Sequence, residues 1–128
     1  VSIYGKTTLE DLKLSSRQAA SGLGYDCDFR QSNSEGELVN WIQEAGRCAC
    51  GIIINAAAYT HTSIAIHDAI AAIDVPVIEL HLSNVFARED YRHHSYVSDV
   101  AAGVICGFGA NGYKLAVVAL ADLLQQSS

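Results

Sequence analysis

The stretch GIIINAAAYTHTSIAIHDAIAAIDVPVIEL, residues 51–80, decides the fold. It opens on Gly51-Ile52-Ile53-Ile54, a short continuous apolar run that marks a strand covered on both faces. Thr62 or Ser63 can then cap a helix running to Ile73. Val75-Pro76-Val77-Ile78-Glu79-Leu80 follows as another covered strand, with Pro at its entry, where a missing N–H is tolerated. Strands of this kind, joined through a helix, predict a parallel sheet with right-handed crossovers.

The alternation continues outward. Upstream, Thr8 starts a helix with Glu10 and Asp11 in its first turn. Leu9, Leu12, Ala19 and Leu23 share one face, and Gly22 and Gly24 are its stop. Tyr25, Cys27 and Phe29 alternate with Asp26, Asp28 and Arg30, which predicts a half-buried strand. A loop over 31–34 leads to a helix over 35–45, with Leu38, Trp41, Ile42 and Ala45 as its stripe and Gly46 as its end. Downstream come a polar loop over 83–95, a strand over 103–107 and a closing helix over 113–124. The fold class is α/β, a single domain over residues 1–128.

Composition narrows the function. Of 128 residues, half are hydrophobic and 17% charged, which is globular and not disordered. The formal net charge is −6, and no basic run exceeds Arg92-His93-His94. These features argue against binding through nucleic-acid phosphates and against anchoring on anionic lipid. No apolar stretch approaches the ~18 residues of a membrane span. Cys27, Cys48, Cys50 and Cys106 form no C-x-x-C pair. They read as reduced structural thiols in a cytoplasmic protein, the alternative being a redox or metal thiol.

In parallel sheets, ligands bind beyond the carboxyl ends of the strands. Asn55 to Ser63 lies after the first apolar run. His81, Leu82, Ser83 and Asn84 lie after the second, followed by Arg88, Arg92, His93 and His94. Asn55 and Ser83 either cap turns or bind oxygens. His61 is either a satisfied loop histidine or a ligand group. Glu79 and His81, two apart on one strand, face the same way. They form a plain buried ion pair, or the carboxylate fixes the tautomer of a general acid. Arg88 and Arg92 are either solvated or a bidentate clamp for a carboxylate. No H-x-x-x-H pair or acidic partner set points to a metal. Gly107, Gly109 and Gly112 mimic a dinucleotide loop, but only after the last strand, which makes that signal weak.

The same residues carry a resemblance. Tyr4-Gly5, Arg30-Gln31-Ser32-Asn33-Ser34-Glu35-Gly36, Asn55-Ala56 with Tyr59-Thr60-His61-Thr62-Ser63, Ile78-Glu79-Leu80-His81-Leu82-Ser83-Asn84-Val85, Ala87-Arg88-Glu89, Arg92-His93-His94-Ser95-Tyr96 and Gly103-Val104-Ile105-Cys106-Gly107 resemble type II 3-dehydroquinate dehydratase over essentially the whole chain. The resemblance implies a flavodoxin-like three-layer α/β/α fold and a homododecamer built as a tetramer of trimers. It implies a cofactor-free and metal-free hydro-lyase that converts 3-dehydroquinate to 3-dehydroshikimate, in the shikimate pathway of aromatic amino acid biosynthesis or in quinate metabolism. By the same resemblance, Tyr4 is the tyrosinate base. Free tyrosine has a pKa of ~10, so the base needs cationic neighbours, and Arg88 supplies part of that field. His81 is the acid, oriented by Glu79. Asn55, His61, Ser83 and Arg92 bind substrate, the N–H groups of Leu82 and Ser83 receive its carboxylate, and Asp68 reaches a neighbouring subunit's site.

The family's usual first strand, with an Asn-bearing loop and a lid arginine after it, has no counterpart in the sequence. The expectation is therefore a native protein with roughly twenty further residues, a short strand plus the lid loop. Two rival readings are an inactive fragment or non-catalytic ligand-binding relative, and a flavodoxin-like flavin or phosphate module. The second needs a phosphate loop after the first strand, which is not present.

Overall fold

The computed structural model describes residues 2–4, 7–84 and 95–126. A short antiparallel pair, β1 (Ser2–Tyr4) and β2 (Thr7–Thr8), precedes α1 (Leu9–Gly22). Strands of two or three residues are too short to show a period, so the sequence pattern places only the helix there. Thr8 and Asp11 close α1 with reciprocal bonds: Asp11 N–H donates to Thr8 Oγ1 at 3.1 Å, and Thr8 N–H to Asp11 Oδ2 at 3.0 Å. At the other end Gly24 takes φ +89°, a left-handed conformation that glycine adopts without strain.

The alternating segment 25–29 forms no strand. Its period survives in burial, with Tyr25, Cys27 and Phe29 half-buried and Asp26, Asp28 and Arg30 exposed. Strand assignment needs a hydrogen-bonded neighbour, and among the described residues no strand pairs with it. Side chains hold it instead. Arg30 bridges Asp28 at 2.8 Å and Glu44 at 3.0 Å, with its guanidinium 5.5 Å from the Trp41 ring. Phe29 packs on Tyr113, ring centroids 5.6 Å apart.

Ser34 caps α2 (Glu35–Cys48) by accepting the Glu37 N–H at 3.2 Å. Gly46 does not end this helix. A Cβ there would stand 2.9 Å from Ile73 Cβ and closer still to its Cγ2, so glycine lets α2 approach the chain that follows α3. β3 (Ile52–Ile54) leads through a 3₁₀ turn (Ala57–His61) into α3 (Ile64–Ala71). Of the two candidate caps, Ser63 accepts the Ile66 N–H, at 2.9 Å. β4 (Val77–His81), β5 (Gly103–Cys106) and α4 (Gly112–Gln126) complete the chain.

Among the described residues the parallel sheet runs β3-β4-β5, with Ile54 opposite Glu79 and Glu79 opposite Val104. Every β4 residue is buried. Its faces divide by parity. Leu80 meets Gly112 at the start of α4, and α4 packs in turn on α1. Val77 joins Ile54, Ile66, Ile70 and Val97 in the core on the other face, where α2 packs on α3. The result is a three-layer α/β/α arrangement that turns Glu79 and His81 toward the second face. None of the described helices is long and apolar enough to cross a membrane.

Candidate active site

Period-2 geometry sends Glu79 and His81 to the same side at the carboxyl end of β4. Both are buried, at 1% and 6% exposure, which makes an unpaired charge at either position prohibitive. His81 Nε2 contacts Glu79 Oε2. The carboxylate receives two further donors: Ser95 Oγ reaches Oε2 at 2.8 Å, and Ser98 Oγ reaches Oε1. Burial pushes the Glu79 carboxyl up, but the hydrogen bonds from His81, Ser98 and Ser95 outweigh it and hold the group below the usual glutamate value. The ring of His61, from the turn after β3, stacks near that of His81, centroids 6.3 Å apart and planes 15° off parallel.

Asn55 stands exposed at the end of β3 with its amide oriented from both sides. Its Oδ1 accepts the Ala57 N–H at 3.2 Å, and its Nδ2 donates to the Tyr113 hydroxyl at 3.5 Å. Burial raises the Tyr113 phenol above its ordinary pKa, so it stays a neutral hydroxyl. Ala57 takes φ +52°, a left-handed conformation unusual for a residue with a Cβ. Leu82 and Ser83 follow β4 directly. Gly109 N–H donates to the Leu82 carbonyl at 2.7 Å and Gly107 N–H to the His81 carbonyl at 3.3 Å, tying the loops after β4 and β5 together.

A chain with these features matches the family model "Dehydroquinase class II" over residues 1–121. It belongs to the class II dehydroquinase family. It is 58% identical over 125 residues to the 3-dehydroquinate dehydratase of Rhizobium meliloti, covering 98% of this chain and 84% of that one. The 3-dehydroquinate dehydratase of Brucella canis is 57% identical over 124 residues, covering 97% and 79%. The crystal structure of type II dehydroquinase from Propionibacterium acnes superposes with a TM-score of 0.86 at 42% identity, over 91% of this chain and 85% of that one. That from Butyrivibrio crossotus gives 0.87 at 40% identity, over 92% and 83%. The α/β parallel sheet expected from the alternation, and the flavodoxin-like fold that the resemblance implies, agree with this match to dehydroquinase structures.

The residues singled out from the sequence fall into three groups in this dehydroquinase. Glu79, His81 and His61 come together in one cluster, and Asn55, Leu82 and Ser83 stand on the loops at the same end of the sheet. Asp68 lies on α3 with its side chain exposed and paired with His67 Nδ1 at 3.0 Å. The side chain of Tyr4, and Arg88 and Arg92 entirely, lie outside the described residues. Sequence reasoning missed Ser95 and Ser98 as partners of Glu79, and Tyr113 as the partner of Asn55. Their only local signal is the Ser-x-x-Ser spacing, which lets Ser95 Oγ accept the Ser98 N–H at 3.0 Å.

Proposed function

We propose that this class II dehydroquinase is a 3-dehydroquinate dehydratase, removing water from 3-dehydroquinate through an enolate to give 3-dehydroshikimate. The observation that carries the reading is the buried Glu79–His81 pair at the carboxyl end of the sheet in a chain of this family. An ionised Glu79 accepts a hydrogen bond from the Nε2–H of His81, so Nδ1 is the atom that gives up a proton when the ring is in its imidazolium form. Such a group suits protonation of the departing hydroxyl. Tyr4 is the base that removes the proton beside the ketone, and Arg88 stabilises its tyrosinate. Pre-organised donors must stabilise the enolate charge that follows. Asn55, His61, Ser83 and Arg92 hold the substrate, with the backbone N–H groups of Leu82 and Ser83 on its carboxylate. The exposed position of Asp68 on α3 suits a residue that completes a neighbouring subunit's site. The working form is then a cytoplasmic homododecamer of single-domain subunits.

Formation of the conjugated enone, followed by ultraviolet absorbance, tests the activity. His81→Ala and Tyr4→Phe should each lower kcat by about a hundredfold or more. Wild-type rates in both variants would end these role assignments. Binding of substrate without turnover by the unaltered chain would favour a non-catalytic relative.

A further inference from the structure

We propose that Ser95 and Ser98 are a pair of positioning residues that fix the Glu79 carboxylate against His81. This rests on the role given to His81 above. Each hydroxyl takes a different carboxylate oxygen: Ser95 Oγ donates to Oε2, at 2.8 Å, and Ser98 Oγ to Oε1. Ser95 Oγ also accepts the Ser98 N–H at 3.0 Å, which occupies a lone pair and directs its single proton at Glu79. A carboxylate held only by His81 retains freedom to swing about its own bond. One held at both oxygens does not.

The turn bearing the two serines is itself anchored. Val97, between them, is fully buried in the apolar cluster with Val77 and Ile54. Tyr96 N–H donates to the Thr60 carbonyl at 2.9 Å, next to His61. Ala102 N–H donates to the Val77 carbonyl at 2.7 Å, two residues before Glu79. The hydroxyls are thus referenced to β4 and to the 3₁₀ turn that presents His61.

The surroundings leave the hydroxyls a large share of the work. On its own strand Glu79 faces His81, with His61 stacked beyond. Its register neighbours are aliphatic, Ile54 on β3 and Val104 on β5. The turn adds the two serines, while its one acid, Asp99, is exposed. α4 lies on the opposite face, against Leu80. Loss of either hydroxyl removes a donor that favours the charged carboxylate, so Glu79 protonates at higher pH.

The test is the pH profile of kcat for Ser98→Ala and Ser98→Thr in the full chain, beside His81→Ala. Ser98→Ala should lower kcat on the order of tenfold, the loss of one hydrogen bond to a charged group. KM should hold, and the acid limb should move to higher pH. Ser98→Thr, which keeps the hydroxyl, should restore both the rate and the limb. Ser95→Ala should move the same limb in the same direction, and serves where Ser98→Ala does not fold. A wild-type profile in both alanine variants, with His81→Ala inactive, overturns the proposal. So does a loss of rate and thermal stability with the acid limb unmoved. Full activity in His81→Ala would instead remove the reading on which it stands.

Discussion

Replacing Glu79 by Gln separates its charge from its packing. The carboxylate accepts from three donors: His81 and Ser95 on Oε2, and Ser98 on Oε1. A glutamine that puts its amide oxygen where Oε2 stands keeps the first two bonds. Its amide nitrogen then faces Ser98, whose hydroxyl can rotate and accept. All the polar groups stay satisfied, so the stability near neutrality should fall by no more than about 1 kcal/mol. Glu79→Ala leaves the buried His81 without its acceptor and takes the acceptor from both serines, and should cost about 3–5 kcal/mol. Activity should rank differently. Gln removes the negative charge that faces His81 and should lower kcat on the order of ten- to a hundredfold with KM little changed. The sign of the pH effect follows from the lowered carboxyl. Its stabilisation is fully present above the ordinary glutamate value of ~4.3, and is lost as pH falls through the lower folded-state value. The stability gap between wild type and Gln should therefore close in that acid window. Urea unfolding at fixed protein concentration, with enone-formation kinetics, measures both effects. A Gln variant as unstable as Ala would refute the hydroxyl-rotation argument. Wild-type kcat in the Gln variant would refute the need for charge.

Two further outcomes follow from the backbone. Gly46→Ala should destabilise by about 1 kcal/mol, although alanine favours a helix over glycine by a similar amount, because its methyl meets Ile73. Ile73→Leu, which lacks the β-branch, should relieve the clash in a double-mutant cycle, and additive costs would count against it. Ala57→Gly should leave stability unchanged or raise it by up to about 1 kcal/mol, since relief of the left-handed strain at φ +52° offsets the entropy glycine adds to the unfolded chain. A drop in Tm would show that the Ala57 methyl contributes packing that outweighs the strain.

The sequence by itself determined the class of fold and much of the site. The continuous apolar run at 52–54 needs cover on both faces, as does the strand at 77–80, apolar apart from Glu79, and with a helix between them that leaves a parallel sheet. The two-residue period of a strand by itself puts Glu79 and His81 on one side. Thr8, Ser34 and Ser63 act as helix caps through bonds to residues three positions ahead. All of these are interactions within a few residues, and a local pattern encodes them. The tertiary structure alone decided the rest, because it depends on groups distant along the chain. Residues 25–29 carry a strand's alternation, yet pairing requires a neighbour that the alternation does not specify. Gly46 reads as a helix stop, but Ile73 makes it a point of close approach. Ser95 and Ser98 lie 16 and 19 residues from Glu79, and Tyr113 lies 58 from Asn55. No spacing rule links such residues. They meet because burying Val97 and Tyr113 costs less than leaving them in water, and the buried carboxylate then takes the donors the fold delivers to it.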